Sequence, residues 1–310
     1  MRPLPIFVTT FVLVLCSTFF VPEFLVPPPR PTLTVLFGGD MMFDRSIREA
    51  GERHGADHLL DCLDPLVAAA DIAVANLEGP ITSHGSLSVG STVGSARNYT
   101  FTFPLATAPL LAEHGIRFVS LGNNHIMNFG ADGVRSTLHA LDAAGVFSFG
   151  DPLEKRVARF EKKDIRISLV SYNQFAPQGS AHAASTTRAQ ITAERSAGRL
   201  PVVFAHWGDE YAPANDFQQR LAHAFVDAGA VLIVGAHPHV VQESEEYAGA
   251  PIYYSLGNLV FDQYWQESVQ RGLTILVTFN EAGVVSLAEM PVYLERTRTT
   301  CPRFGQAPVF

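Results

Sequence analysis

Short apolar runs recur along the chain and indicate its architecture. Their residues are rich in β-branched side chains and are continuous rather than alternating, which is typical of strands buried on both faces. Six such runs are predicted strands: 33–39, 71–76, 116–122, 201–206, 230–236 and 251–257. Apolar residues at helical spacing predict helices between several of them: 105–115, 132–145 and 215–229.

Other segments alternate apolar and polar residues and predict a second, more antiparallel sheet: 164–172, 273–279 and 283–294. Two packed sheets with helices outside them form a four-layer α-β-β-α sandwich, so the predicted fold class is α/β. Segments 84–100 and 176–187 are rich in small residues and are predicted to be mobile loops near the rim of a site.

The first 31 residues differ in character from the rest. No charged residue lies between Arg2 and Glu23, and an apolar stretch of about 20 residues can span a bilayer. The basic end comes first, which places the remaining chain outside. An uncleaved membrane anchor and a cleaved signal segment both fit, followed by a stiff proline-rich spacer. The predicted domains are therefore 1–31, the main domain 32–300 and a tail 301–310.

The charge and the cysteine content limit the partners and the cellular compartment that the protein can have. The 310 residues carry 22 basic and 30 acidic side chains, a net charge of −8. An acidic chain without basic runs argues against nucleic acid as the main partner. An anionic substrate must then be attracted locally, by a metal or a few arginines. Cys62 and Cys301 could form a disulfide in an oxidising compartment, or could be two unpaired core residues.

The apolar strands share polar residues of metal-ligand type at their ends. In open α/β sheets ligands bind at the carboxyl ends of the strands, so these clusters are predicted to converge if the strands are parallel neighbours. The candidates are Asp40, Asn76, Glu78, Asn123, Asn124, His125, His206, His237, His239, Asn258 and Asp262.

These donors are carboxylates, amides and imidazoles, with no thiolate that would indicate a structural zinc site. The set suits Mn, Fe, Zn or Mg, and it can hold one ion or two ions about 3.5–4 Å apart. Pro238 fixes the backbone between His237 and His239, so the two rings can serve different ions. The predicted cofactor is therefore one or two divalent metal ions.

At these positions the chain resembles the CapA-type poly-γ-glutamate capsule synthesis proteins, which are related to calcineurin-like metallophosphoesterases. The matching blocks run in order through 33–280: Gly39-Asp40-x-Met42, Asn76-Leu77-Glu78, Asn123-Asn124-His125, His206-Trp207-Gly208-x-Glu210-Tyr211, Gly235-Ala236-His237-Pro238-His239 and Ser255-Leu256-Gly257-Asn258. The resemblance implies the four-layer metallophosphoesterase-type fold.

The resemblance also implies roles. One ion would be held by Asp40, Glu78 and His239, and the other by Glu78, Asn124, His206 and His237. His125 would be the general acid that protonates a leaving group. The residues expected to contact substrate are Asn76, Asn123, Asn258 and Asp44.

Two departures from the wider superfamily affect the metal. That superfamily has Asp-x-His in the first block, where this chain has Met42, so one ion lacks a ligand unless Asp44 or water supplies it. It also has Asp in the second block, where this chain has Glu78. A site with a single metal is therefore an alternative.

Three functions remain open from the sequence. The first is an extracytoplasmic metal-dependent hydrolase or transferase acting on an anionic polymer such as poly-γ-glutamate. The second is a non-catalytic, membrane-anchored component of a capsule synthesis or export complex with a partial or vestigial metal site. The third is a secreted general phosphoesterase. The residues do not specify the bond cleaved, because a fold does not set a function.

Overall fold

A computed structural model describes residues 31–154 and 157–303. Residues 1–30, to which the predictions of an anchor, a signal and a spacer apply, lie outside these ranges, apart from Pro31 at the end of the spacer. Within the described residues no helix has the length and apolarity needed to cross a bilayer.

Within residues 31–154 and 157–303, fourteen strands form two sheets. In chain order they are β1 (Leu33–Met41), β2 (Ile72–Leu77), β3 (Ile116–Ser120), β4 (Phe147–Phe149), β5 (Ala158–Lys162), β6 (Ile165–Asn173), β7 (Leu200–His206), β8 (Leu232–Ala236), β9 (Ser244–Tyr247), β10 (Ala250–Tyr253), β11 (Asn258–Val260), β12 (Arg271–Asn280), β13 (Gly283–Leu294) and β14 (Thr300–Pro302).

The larger sheet has the strand order β14-β13-β12-β1-β2-β3-β4, with β11 also paired to β1. Strands β1 to β4 and β11 are parallel, whereas β12, β13 and β14 form antiparallel pairs. The smaller sheet has the order β5-β6-β7-β8-β10-β9, and its parallel centre is bordered by the antiparallel strands β5 and β9.

The assignment of strands to sheets differs from the sequence prediction. The alternating segments were expected to share a second sheet, but β12 and β13 join β1 in the larger sheet while β6 joins the smaller one. The smaller sheet thus has a parallel centre and antiparallel edge strands, whereas the larger sheet has a parallel side, β1 to β4, and an antiparallel side, β12 to β14. The reason is that apolar periodicity reports which faces of a strand are buried but not which strand it pairs with.

In the described part of the chain, seven α-helices accompany the sheets. They are α1 (Arg45–His54), α2 (Asp64–Ala68), α3 (Thr107–Glu113), α4 (Gly130–Ala144), α5 (Ser180–Ser196), α6 (Asp216–Asp227) and α7 (Glu267–Gln270). Short 3₁₀ helices occupy Asp57–Leu59, Asp61–Leu63 and Ala96–Tyr99.

Three apolar clusters separate the layers. One contains residues of both sheets, such as Val35 and Val202, and lies between them. The second joins the larger sheet to α1, α3 and α4, and the third joins the smaller sheet to α5 and α6. The protein is therefore a mixed α/β fold, as predicted, with helices packed on the outer faces of two stacked sheets.

Two further features bear on the sequence predictions. The predicted loop 176–187 is incorrect beyond residue 179, because α5 begins at Ser180 and buries Ala183, Thr187 and Ile191. A disulfide joins Cys62 to Cys301, which resolves the two alternatives left open by the sequence. It ties β14 to the 3₁₀ helix Asp61–Leu63, so the predicted domain boundary at residue 300 falls inside the larger sheet.

Candidate metal centre

The predicted ligands come together where the carboxyl ends of strands from both sheets meet. Asp40 lies near the end of β1, Glu78 follows β2, and His206 ends β7. His237 and His239 follow β8. All five side chains are buried, with at most 4 % of any of them exposed. Convergence therefore occurs as predicted, but the residues are contributed by two sheets rather than one.

Glu78 lies at the centre of this cluster. Its Oε1 atom is 3.7 Å from Nε2 of His239, 4.0 Å from Nε2 of His206 and 3.9 Å from Nε2 of His125. Neither carboxylate oxygen has a hydrogen-bond partner among the described residues. Burial, and then the nearby charge of Asp40, raises the pKa of Glu78 well above its ordinary value. A buried carboxylate without a donor is costly, and a bound cation would remove that cost.

The ligand atoms fall into two overlapping groups. Asp40, Glu78 and His239 form one, and Glu78, His206 and His237 form the other, with the ligand atoms of each group within 4.8 Å of one another. Glu78 belongs to both. The two groups have the same members as the two ion sites that the resemblance implies, apart from Asn124.

Asn124 lies beside the second group. Its Oδ1 atom is 2.9 Å from Nε2 of His206. Two neighbouring ligands of one octahedral ion, each about 2.1 Å from it, are separated by about 3 Å. The separation of these two atoms is therefore compatible with a shared ion.

The protonation state of the histidines suits the binding of a cation. Burial lowers the pKa of His237 to about 4, and it lowers the pKa values of His206 and His239 well below 6.5. All three rings are therefore neutral near pH 7 and offer lone pairs. His237 Nδ1 is buried and has no hydrogen-bond partner in the described ranges. Two acids, three neutral imidazoles and these unpartnered atoms fit a divalent metal ion.

The backbone around His237 is shaped for this arrangement. Its N–H donates to Oδ2 of Asp40 at 2.9 Å, while Oδ1 of Asp40 accepts from Nδ2 of Asn76 at 2.7 Å. His237 and His239 both have positive φ angles, 99° and 58°, which non-glycine residues rarely adopt. Such backbone strain is found at functional sites, where the surrounding structure maintains it. Here it lets one short turn supply an N–H and two rings.

His125, the predicted general acid, lies at the edge of the cluster. Its Nδ1 is 3.2 Å from Oδ1 of Asn128, which also accepts the backbone N–H of Phe101. That oxygen is an acceptor, so the His125 proton is on Nδ1 and the lone pair on Nε2 faces Glu78. Burial lowers the pKa of His125 to about 4. The ring is therefore a proton acceptor at neutral pH, and the role of general acid stays a prediction.

The four residues predicted to contact substrate are buried. Asn76 and Asn123 are hydrogen-bonded to each other, to Asp40 and to the backbone near Leu77 and His125. Asn258 is fully buried against His239. Asp44 is also fully buried. The polar atoms of all four are engaged by the protein, and their contact with substrate stays a prediction.

Neither Met42 nor Asp44 completes the ligand set. The sulfur of Met42 accepts the backbone N–H of Asp44 at 3.0 Å, in the apolar layer under α1. The Asp44 carboxylate accepts from Arg48 Nε at 3.1 Å and from the backbone N–H of Thr102 at 2.9 Å. Asp40, Glu78 and His239 thus remain the three side chains of one candidate group, and an ion held by them would have further positions for water or substrate.

Sequence reasoning missed two neighbours of the cluster. Arg45 is close enough to Glu78, His125 and His239 for its charge to lower their pKa values. The ring of Phe175 lies 4.4 Å from that of His237 and is partly exposed. Arg45 directly follows the first block and could have been considered for that reason, whereas no local signal marks Phe175.

Comparison with known proteins identifies the family. The family model described as "Bacterial capsule synthesis protein PGA_cap" matches residues 34–263, most of the chain. The chain belongs to this family. The PGA_cap chain is 30 % identical over 258 residues to the "PGA biosynthesis protein CapA" of Bacillus subtilis, covering 78 % of this chain and 66 % of that relative. It is 27 % identical over 282 residues to the "Capsule biosynthesis protein CapA" of Bacillus anthracis, covering 85 % and 68 %.

The PGA_cap chain therefore spans about two thirds of the length of these relatives. Among solved structures, a Vps29 double mutant of Entamoeba histolytica matches with 12 % identity and a TM-score of 0.29. That match covers 64 % of this chain and 87 % of the other, and at this score it supports no structural conclusion. The predicted family resemblance is confirmed by the family model and the two relatives.

Proposed function

We propose that this PGA_cap chain is a metal-dependent hydrolase or transferase that acts outside the membrane in the synthesis or processing of poly-γ-glutamate capsule. The main observation is the Glu78 carboxylate, which is buried without a hydrogen-bond donor and shared by two groups of ligands. Family membership and the names of the two relatives support the link to the capsule. The match to only two thirds of each relative keeps the substrate and the reaction a proposal.

The proposed ion sites follow the two groups. Asp40, Glu78 and His239 would hold one ion, and Glu78, Asn124, His206 and His237 the other. When bound, such ions activate water near neutral pH and stabilise an oxyanion. The surrounding layers exclude water from the ligands, and Asn76 and Asn258 hold Asp40 and His239 in place.

His125 would move the proton. Its Nδ1–H is fixed by Asn128, so Nε2 is free on the side that faces Glu78. The ring can accept a proton there from an incoming nucleophile and return it to the departing group. Burial against Phe101, whose ring centroid is 4.3 Å away, keeps this ring in one orientation.

The disulfide supports an extracytoplasmic location. Disulfides persist in oxidising compartments and are rare in the cytosol. Cys62 and Cys301 are paired although they lie near opposite ends of the chain. An N-terminal anchor would then keep the domain at the extracytoplasmic face of the membrane, where it could join a capsule synthesis complex.

A second function is favoured by Met42. Because its sulfur is directed at a backbone N–H, one ligand group keeps only three side chains. A protein with one weakly held ion could act as a non-catalytic component of a capsule complex, binding the anionic polymer rather than cleaving it.

Elemental analysis of the full chain, purified without chelators, would separate the two functions. Two equivalents of Mn, Fe or Zn, reduced in His237→Ala, would support the hydrolase. One equivalent, without cleavage of poly-γ-glutamate or simple phosphate esters, would support the binding component. A preparation that stays metal-free in the presence of these ions would contradict both.

A further inference from the structure

Arg45 occupies an unusual position beside the cluster. It is the first residue of α1, five positions after Asp40, and its φ angle of 49° lies in the left-handed region. A non-glycine residue there is strained, and such strain persists only where the surrounding structure maintains it. The Arg45 side chain is only 14 % exposed. The turn after β1 therefore directs a guanidinium group into the protein close to the metal ligands.

The guanidinium group of Arg45 packs against two aromatic rings that also contact histidines of the cluster. Its central carbon is 5.0 Å from the ring centroid of Phe101 and 5.5 Å from that of Phe261. The Phe101 ring lies 4.3 Å from His125, and the Phe261 ring lies 4.6 Å from His239. Arg45 thus rests on the same two rings that contact the proposed proton carrier and a proposed metal ligand.

The hydrogen-bonding capacity of Arg45 is only partly used. Nη2 pairs with Oδ1 of Asp262 at 2.6 Å, and the other oxygen of Asp262 accepts from the backbone and hydroxyl of Ser46. Nε is buried and has no hydrogen-bond partner among the described residues. A guanidinium has five N–H donors in a planar fork, so Arg45 keeps donors for an additional acceptor.

The negative charge around the cluster favours such a cation for the binding of an anionic ligand. The chain carries a net charge of −8, and Glu210 raises the pKa values of Asp40 and Glu78 through its negative charge. An anion approaching this region is repelled unless a local positive charge offsets these acids. Arg45 supplies that charge on the side of His125 and His239.

We propose that Arg45 binds an anionic oxygen group of the substrate, a carboxylate or a phosphate, beside the metal cluster. The assignment builds on the proposed function, because it names the class of substrate that the same site accepts. The planar fork matches the two oxygens of either group. In poly-γ-glutamate each residue carries a free carboxylate, so a polymer segment would present one next to the bond that reacts.

Binding of two probes to the full-length protein tests this assignment. Inorganic phosphate and a γ-linked tetraglutamate would be titrated by calorimetry into wild type, Arg45→Met, Arg45→Lys and Arg220→Met, with and without Mn²⁺. Arg220 is an exposed arginine of α6 and controls for the loss of one charge. Metal content would be measured on each preparation.

We expect Arg45→Met to lower the affinity for at least one probe by about tenfold to a hundredfold, because a charge-assisted contact is lost. Arg45→Lys should lose less, Arg220→Met should bind like wild type, and metal content should not change. The probe that is affected more distinguishes a phosphate group from a carboxylate as the ligand.

Three results would overturn the assignment: wild type that binds neither probe, Arg45→Met that binds both normally, or loss of metal in Arg45→Met. The proposed function fails separately. A wild type without metal, whose binding of either probe still depends on Arg45, would remove the metal-dependent reaction and leave the anion site intact.

Discussion

Nδ1 of His239 lies 2.9 Å from the side-chain oxygen of Asn258. The amide nitrogen of Asn258 donates to the carbonyls of His239 and Val269 and to Gln263, so its oxygen must be the acceptor. The His239 proton is therefore on Nδ1, and the lone pair on Nε2 faces Glu78. Outer partners of this kind fix the tautomer and orientation of metal-binding histidines.

Replacing Asn258 should weaken metal binding without touching a ligand. In Asn258→Ala, His239 loses the acceptor that fixes its tautomer, and we expect the affinity for Mn²⁺ to fall about 10–100-fold. Titration calorimetry on the metal-free protein measures this effect. Asn280→Ala, in β12, is a control that should bind as wild type does. Equal affinity in Asn258→Ala and wild type would show that the contact does not orient a ligand.

Glu78→Gln should have opposite effects with and without metal. The change removes a buried carboxylate beside Asp40 and supplies an amide donor, so the free energy of unfolding of the metal-free protein should rise by about 1–2 kcal/mol. The variant should also lose the increase in melting temperature that metal produces in wild type. Thermal unfolding with and without Mn²⁺ measures both effects. A normal metal response in Glu78→Gln would rule out a shared ligand at this position.

Asp71 should contribute stability that depends on pH. Burial alone would raise its pKa, but hydrogen bonds from Lys163, from the backbone and hydroxyl of Thr34 and from Lys162 lower it well below 3.8. Because the folded pKa lies below the unfolded one, the stabilisation is complete above about pH 4 and is lost as the pH falls further.

Asp71→Asn should therefore be destabilised by about 1 kcal/mol at pH 7, and its difference from wild type should be smaller at pH 3. Urea denaturation at the two pH values measures the difference. Glu113→Gln, which removes an exposed acid at the end of α3, is the control. A difference that is the same at both pH values would contradict the role assigned to Asp71.

The disulfide should account for a large part of the stability. Cys301→Ser should lower the free energy of unfolding by about 2–4 kcal/mol, because the bridge constrains a long segment of the unfolded chain. A reducing agent should destabilise wild type by a similar amount and leave the variant unchanged. Denaturation curves with and without the reductant test both statements. An unaffected wild type would mean that the two cysteines are not joined.

The part of the site that could be predicted from the sequence is the part marked by polar residues at strand ends. Buried strands such as β1 and β8 are recognisable as apolar runs, and a ligand-type residue after each run is a local signal, so the sequence predicts that Asp40 and the His237 turn lie close together, as they do. The division of the strands between sheets was not predicted, since it depends on pairing partners far away in sequence. The contact of Asn258 with His239 was not predicted for the same reason, because it forms only when β11 lies beside β1.

Helix α5 illustrates a different limit. Its buried stripe consists of Ala183, Thr187, Ile191 and Glu194, which has too little apolar character to show as a helical pattern. Small and polar residues can be buried there because Thr187 donates to the backbone of Ser171 and Glu194 pairs with Arg159. Such compensation by tertiary contacts is invisible in a local window of sequence.

The pairing of β1 with β12 has a consequence for how the protein is made. Strand β1 pairs with β12, which follows it by more than 200 residues, and Cys62 pairs with Cys301, which lies further along the chain. Contacts between such distant segments slow folding. Synthesis must therefore proceed through β12 before this sheet can close. An exported chain would cross the membrane before its ligands assemble and would take its metal from the medium outside the cell.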